Sequence, residues 1–250
     1  MKPVGPDEAG VMGRDSVFPS THWSVVLSAG RQESGEAAQA LETLCRTYWY
    51  PLYVYVRRRG YNREDAKDLV QGFFAHLLGR DFLRGVGQGK GRFRSFLLAS
   101  LNHFLSDQRD RSRAAKRGGG QTLISLDADL AERRYGEEAA DELTPEIAYE
   151  RLWATTLLER ARARLAEEYT TQGKTDLLLR LEEFPLGERG ETSFRDCAAR
   201  LGLSESALKS AVHRMRARYR ELLREEVAHT VNDPAEVADE IRYLITVVSR

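Results

Sequence analysis

The sequence predicts an all-α protein: two helical domains joined by an acidic linker, with one further helix at the C-terminus. Three observations carry this. Apolar residues recur at i, i+3, i+4 and i+7 through most of the chain. Strand-like alternation is nearly absent, and glycine and proline gather in stretches that punctuate the periodic segments. At 250 residues, 42% hydrophobic and 30% charged, the chain can bury two modest cores or one large one.

Residues 1–19 read as a disordered tail, polar and without period. From residue 20, Ser20 and Thr21 can cap a short helix carrying Trp23, Val26 and Leu27, and a polar loop follows to Glu36. From about Ala37 the residues Leu41, Leu44, Cys45, Tyr48, Leu52, Tyr55 and Val56 keep helical spacing. Pro51 is expected to bend this helix, and Arg57, Arg58 and Arg59 end it before Gly60, where cations complement the helix dipole. Asn62 is a good N-cap for the next helix, with Glu64 and Asp65 in its first turn and a stripe of Ala66, Leu69, Val70, Phe73, Phe74, Leu77 and Leu78. The segment from Arg80 to Gly91 is a basic, glycine-rich loop. It lacks the Gly-Lys-Ser/Thr ending and the preceding strand of a phosphate-cradling loop. Phe93, Phe96, Leu97, Ser100, Leu101, Phe104 and Leu105 then mark a helix whose aromatics belong to the core. Its far face carries Ser95, Leu98, Asn102, Ser106, Arg109 and Arg113, followed by Lys116 and Arg117.

Residues 118–145 are glycine-rich and then acidic, with few large apolar side chains, and read as a flexible linker. Pro145 opens a helix through Ile147, Leu152, Trp153, Leu157, Leu158, Ala161 and Leu165, and a second runs through Leu177, Leu178, Leu181 and Phe184. Residues 193–219 form a helical pair. Phe194, Cys197, Ala198 and Leu201 share one face of the first helix, which Ser193 and Asp196 start and Gly202 stops. Ser204 can cap the second, whose apolar side is Leu208, Ala211, Val212, Met215 and Tyr219. Its opposite side carries Ser206, Lys209, Ser210, His213, Arg214 and Ala217: small, polar and basic, as suits a helix entering the major groove of DNA. In residues 231–250, Asp233, Pro234 and Glu236 spell a helix start before the stripe Val237, Ile241, Leu244, Ile245 and Val248.

The formal net charge is zero, so any basic surface must be local. Cys45 and Cys197 both fall on apolar faces and read as small buried hydrophobes. No apolar run is long enough to span a bilayer and the first residues do not resemble a signal peptide, which predicts a soluble, cytoplasmic protein with no membrane partner. Glu64, Asp65 and Asp68 share one helix face but supply too few converging oxygens for a metal ion, and the five histidines have no ligand spacing. No catalytic set, metal cluster or cofactor loop is found, so an enzyme is the least favoured class and neither metal nor cofactor is expected.

Three segments resemble the sigma factors of the sigma-70 family, extracytoplasmic-function (ECF) type, in the family's order and over roughly residues 23–227. Glu64-Asp-Ala-Lys-Asp-Leu-Val-Gln-Gly-Phe-Phe is similar to the family's polymerase-binding helix. Phe93-Arg-Ser-Phe-Leu to Arg113 is similar to its promoter-melting segment, and Leu203-Ser-Glu-Ser-Ala-Leu-Lys-Ser-Ala-Val-His-Arg to its region 4 recognition helix. The resemblance implies a region 2-like domain over 20–117 and a region 4-like helix-turn-helix domain over 146–230. Core RNA polymerase would meet Asp65, Asp68, Leu69, Gln71 and Phe74. The −10 element of promoter DNA would be read and opened by Arg92, Arg94, Asn102, Ser106, Arg109 and Arg113, and the −35 element read by Ser206, Lys209, Ser210, His213 and Arg214. The acidic linker would thread the polymerase's RNA channel. An anti-sigma factor or other regulator is a further implied partner, and residues 231–250 are expected to be regulatory or to complete the second core. Gly72 stands where the family usually has an acidic residue, and Phe96 where tryptophan is common. Ala99 and Asn102 stand where basic residues are common, which directs DNA opening toward the Gly85–Gly91 loop. The alternative reading is a stand-alone helix-turn-helix regulator, which binds duplex DNA without polymerase; a helical adaptor with no DNA contact is a third class.

Overall fold

Leu52, Tyr53, Val54, Tyr55 and Val56 are five consecutive buried residues, and this run makes the helix that carries them, α1 (Gly35–Arg58), the centre of the fold. A stretch of helix buried all round has to be enclosed on every side, whereas Thr43 and Arg46 earlier in the same helix are exposed. The computed structural model describes residues 35–78, 91–114, 128–138, 143–182 and 194–249. After α1 come α2 (Arg63–Leu78), α3 (Phe93–Ala114), α4 (Ala128–Glu138), α5 (Pro145–Thr171), α6 (Thr175–Leu181), α7 (Phe194–Leu201) and α8 (Glu205–Ala228). A 3-10 turn (Pro234–Glu236) then leads into α9 (Val237–Val248). The fold is all-helical among the described residues, and none of these helices is long and apolar enough to cross a membrane. The expected tail over 1–19, the short helix at Trp23, most of the Arg80–Gly91 loop, Lys116 to Gly120, Phe184 and the Ser193 cap lie outside the described residues.

Helix ends follow local chemistry. Asn62 caps α2: its Oδ1 accepts the Asp65 N–H at 2.9 Å, and its Nδ2 donates back to the Asp65 carboxylate at 2.8 Å. Thr144 Oγ1 accepts the Ile147 N–H at the start of α5, with Pro145 in the first turn. Ser204 Oγ accepts the Ala207 N–H at 3.1 Å to start α8. Between α7 and α8, Gly202 sits at φ 63°. The Leu203 N–H donates to the Ala198 carbonyl and the Gly202 N–H to Ala199, the double closure that ends a helix on a left-handed residue.

Two apolar cores share one long helix. The first collects α1, α2 and α3 with Ala131 of α4, the first half of α5, Val227 and Leu244. Its centre is aromatic: Tyr48 stacks on Trp153 with ring centroids 3.9 Å apart. The second collects Ala161, Leu165, Leu178 and Leu181 with Cys197, Ala198 and the apolar side of α8. Because α5 has 27 residues and runs about 40 Å, it serves both cores without a break. Arginines of its second half then tie it to α8. Arg160 Nε lies 2.7 Å from Glu226, Arg164 meets Glu225 at 2.6 Å and Glu226 at 3.0 Å, and Arg218 reaches back to Glu168 at 2.6 Å.

This packing corrects two expectations about organisation. Residues 128–138, assigned to a flexible linker, form α4 and dock on α1. Ala131 is buried, Glu132 meets Arg57 at 2.7 Å and accepts the Tyr53 hydroxyl, and Arg57 lies over the Tyr135 ring. Net acidity hid this, because the one acid that matters is neutralised by Arg57. The boundary drawn at 145–146 also fails, since Tyr149, Leu152, Trp153 and Leu157 complete the first core, not the second. Both cysteines are buried as expected, and burial, with Glu42 nearby, pushes the Cys45 thiol up to about 12.

Candidate functional site

Three outward surfaces carry the candidate residues. On α8 the separation of faces is complete. Leu208, Ala211, Val212, Met215 and Tyr219 are buried, while Ser206, Lys209, Ser210, His213 and Arg214 are all exposed. Lys209 Nζ pairs with Glu205 at 2.5 Å and lies 5.7 Å over the Phe194 ring, so α7 helps to position it. This face offers cations and short polar donors on a rigid helix, the chemistry that meets phosphates and base edges.

On α2 the ridge Asp65 and Asp68 is exposed and Gln71 half-buried, with Leu69 packed at the edge of the first core. Phe74 is a correction: it is buried against Phe73, and a partner cannot reach it without unpacking the bundle. Gly72 has a packing reason to lack a side chain. A Cβ there would meet the Phe104 ring of α3 at 3.3 Å, so the acidic side chain usual in the resembled family would press on that ring.

On α3 the expected DNA-binding set divides. Ser106 and Arg109 are exposed, and Arg92 is half-exposed at the start of the helix. Arg113 is on the last turn, with its side chain outside what is described. Asn102 is held from α1: its Oδ1 accepts the Tyr55 hydroxyl at 2.9 Å and Arg59 Nη1 at 2.5 Å. Arg109 donates through Nε to the Tyr61 hydroxyl at 2.8 Å, its guanidinium over that ring. Arg59 and Tyr61 thus join the site, although sequence reasoning gave Arg59 only a helix-dipole role and passed over Tyr61. The available signal was the Arg-Arg-Arg-Gly-Tyr run itself, basic and aromatic at a forced turn (Gly60 φ 91°). Phe93, Phe96 and Phe104 are core, as expected.

Arg94 is the second correction. It is 5% exposed, with Nε 2.7 Å from Glu240 of α9 and Nη1 2.7 Å from Glu150 of α5. Burial works against its charge, but these carboxylates more than offset that and raise its pKa above the ordinary arginine value. Its guanidinium also lies 4.3 Å over the Tyr243 ring, and its carbonyl accepts the Tyr149 hydroxyl at 2.9 Å. In this structure Arg94 faces protein on every side. Glu240, 1% exposed, is the residue that sequence reasoning missed outright.

Fold and surfaces together define a structure that is all-helical among the described residues, with an acidic ridge on α2, a basic and aromatic patch where α1 meets α3, and a basic polar face on α8. No protein-family model, curated protein or solved structure matches the chain.

Proposed function

We propose that this chain is an alternative sigma factor of the ECF type, which binds core RNA polymerase in the cytoplasm and directs promoter-specific initiation. The observation that carries the reading is the α8 face. All five side chains expected at the −35 element are exposed on one rigid helix, behind a capped turn, with the apolar side buried. The exposed Asp65 and Asp68 support a polymerase-binding role for α2, with Gln71 and Leu69 at its edge and Phe74 supporting it from within. Asn102, Ser106 and Arg109, joined by Arg59 and Tyr61, suit an opened strand, because guanidinium groups track phosphates and an aromatic ring stacks on unpaired bases. The promoter DNA and the polymerase are the partners proposed, with an anti-sigma factor or other regulator as a further one.

The test is co-elution of the full chain with core RNA polymerase on gel filtration, beside Asp68→Arg. Co-elution that the substitution abolishes supports the reading. A chain that binds duplex DNA tightly by itself and never joins polymerase is a stand-alone regulator, and the sigma reading then falls. Replacing both Lys209 and Arg214 by alanine is expected to weaken promoter use by about 1–3 kcal/mol for each of the two that reads a base, with folding unchanged.

A further inference from the structure

The end of the chain reaches back to the start of α3. Glu240 of α9 places Oε1 at 2.7 Å from Arg94 Nε and Oε2 at 2.7 Å from Arg92 Nε. The second pairing lies off the hydrogen-bonding direction, leaving Oε2 buried with charge attraction but no directed donor. Next to it the Tyr243 hydroxyl donates to Glu150, and both guanidinium groups lie over the Tyr243 ring, at 4.3 Å for Arg94 and 5.7 Å for Arg92. Just before α9, the Thr230 carbonyl accepts the Phe93 N–H at 2.9 Å, so the C-terminal segment also caps the first turn of α3.

Arg92 and Arg94 converge on Glu240 while Arg94 Nη1 keeps Glu150, and the Glu240 position is an anion site at which carboxylate and phosphate are interchangeable ligands. A carboxylate that fills it with one oxygen poorly directed is a ligand that a better-matched anion can replace. α9 packs through buried Leu244 and Val247, with Val237, Ile241, Tyr243 and Val248 partly buried on the first core, so its release exposes apolar surface whose cost the bound DNA must offset.

We propose that α9 is a competitor in cis for the nucleic-acid backbone. In the free protein Glu240 occupies the Arg92/Arg94 anion site, and a phosphate of bound DNA takes that site when α9 swings off. This rests on the nucleic-acid reading of α3 given above and adds its regulation: the chain masks part of its own strand-binding surface until DNA arrives.

The test uses the full chain, by amide hydrogen exchange and by anisotropy of a labelled single-stranded DNA oligonucleotide across a salt series. Saturating DNA is expected to speed exchange in residues 237–248 by about tenfold. Glu240→Gln is expected to bind the oligonucleotide about tenfold tighter, by removing the cost of the masked state. Neutralising one further phosphate would steepen the plot of log K against log salt by about 0.7, and Arg92→Ala in the same chain would lower that gain. Exchange in 237–248 unchanged by bound DNA overturns the proposal, and needs no variant. So does a Glu240→Gln protein whose α9 exchanges faster while its affinity and salt slope stay at wild type, or the failure of either form to bind DNA. Loss of polymerase co-elution with these DNA results intact would sink the sigma reading and leave the latch. Polymerase binding with no Glu240→Gln effect would do the reverse.

Discussion

Glu226→Gln tests the joint between the two cores. Glu226 is 2% exposed on α8 and takes Arg160 on one oxygen and Arg164 on the other, and Arg160 continues to Thr47 Oγ1 of α1 at 3.0 Å. One carboxylate therefore links three helices. Removing one partner of a buried pair costs about 3–5 kcal/mol when the remaining charge is trapped. Here the arginine side chains keep 37% and 36% of their exposure, so water takes up part of their charge and the expected loss is about 2 kcal/mol. At a urea m-value of about 3 kcal/mol/M, that lowers the unfolding midpoint by about 0.7 M. The loss also carries a pH signature. Burial pushes the Glu226 carboxyl up, but the hydrogen bonds and charges of Arg160 and Arg164 outweigh it and hold the group below its ordinary 4.5. With the folded value depressed, the stabilisation is complete above the unfolded value and is lost as pH falls through the folded one. Wild type and variant should therefore differ fully near neutral pH and converge on acidification below 4.5. The control is Glu225→Gln, whose side chain is 42% exposed and which should cost no more than about 1 kcal/mol. Equal midpoints at neutral pH, or a deficit that stays constant through the carboxylate range, would refute the assignment.

Three further outcomes follow from the packing. Trp153→Ala, at the stacked centre of the first core, should cost about 3–5 kcal/mol, read as the largest midpoint loss in denaturant titrations of this set. Gly202→Ala forces a Cβ into a left-handed turn and should cost about 1–2 kcal/mol, with DNA affinity falling alongside the melting temperature because the turn orients α8. Glu132→Ala should free α4 while leaving the first core folded: limited proteolysis would cut within 128–138 far faster than in wild type, with little change in global unfolding. Unchanged cutting would mean that the other contacts of α4, Ala131, Tyr135 and Arg134 over the Tyr50 ring among them, hold it without Glu132.

Phe74 shows where two ways of reading the sequence conflict. Its spacing with Ala66, Val70, Phe73 and Leu77 assigns it to the buried stripe of α2, whereas the family resemblance assigns it to polymerase binding; the structure sides with spacing. Arg94 shows the opposite limit. It stands beside Phe93 and three residues before Leu97, on the buried side of α3, yet a charged residue is assigned to solvent unless a partner is known. That partner, Glu240, is 146 residues away and sits among apolar neighbours on its own helix. Neither residue reveals the other without the fold. α4 was missed for a related reason. Composition averages over a segment, and what docks it among the described residues is buried Ala131, with Glu132 on Arg57, Tyr135 under Arg57 and Arg134 over the Tyr50 ring.

What the sequence determined by itself is everything set within a few turns of chain. The all-helical class, the caps at Asn62, Ser204 and Asp233, the stop at Gly202 and the two faces of α8 all depend on residues close together along the chain. Only the tertiary structure decided which helices share a core, that α5 belongs to both, that α4 is docked, and that Glu240 and Glu150 together neutralise Arg92 and Arg94. Those outcomes depend on pairings between residues far apart in sequence. A buried charge becomes tolerable only when a distant partner arrives with it, and no local pattern records that arrival.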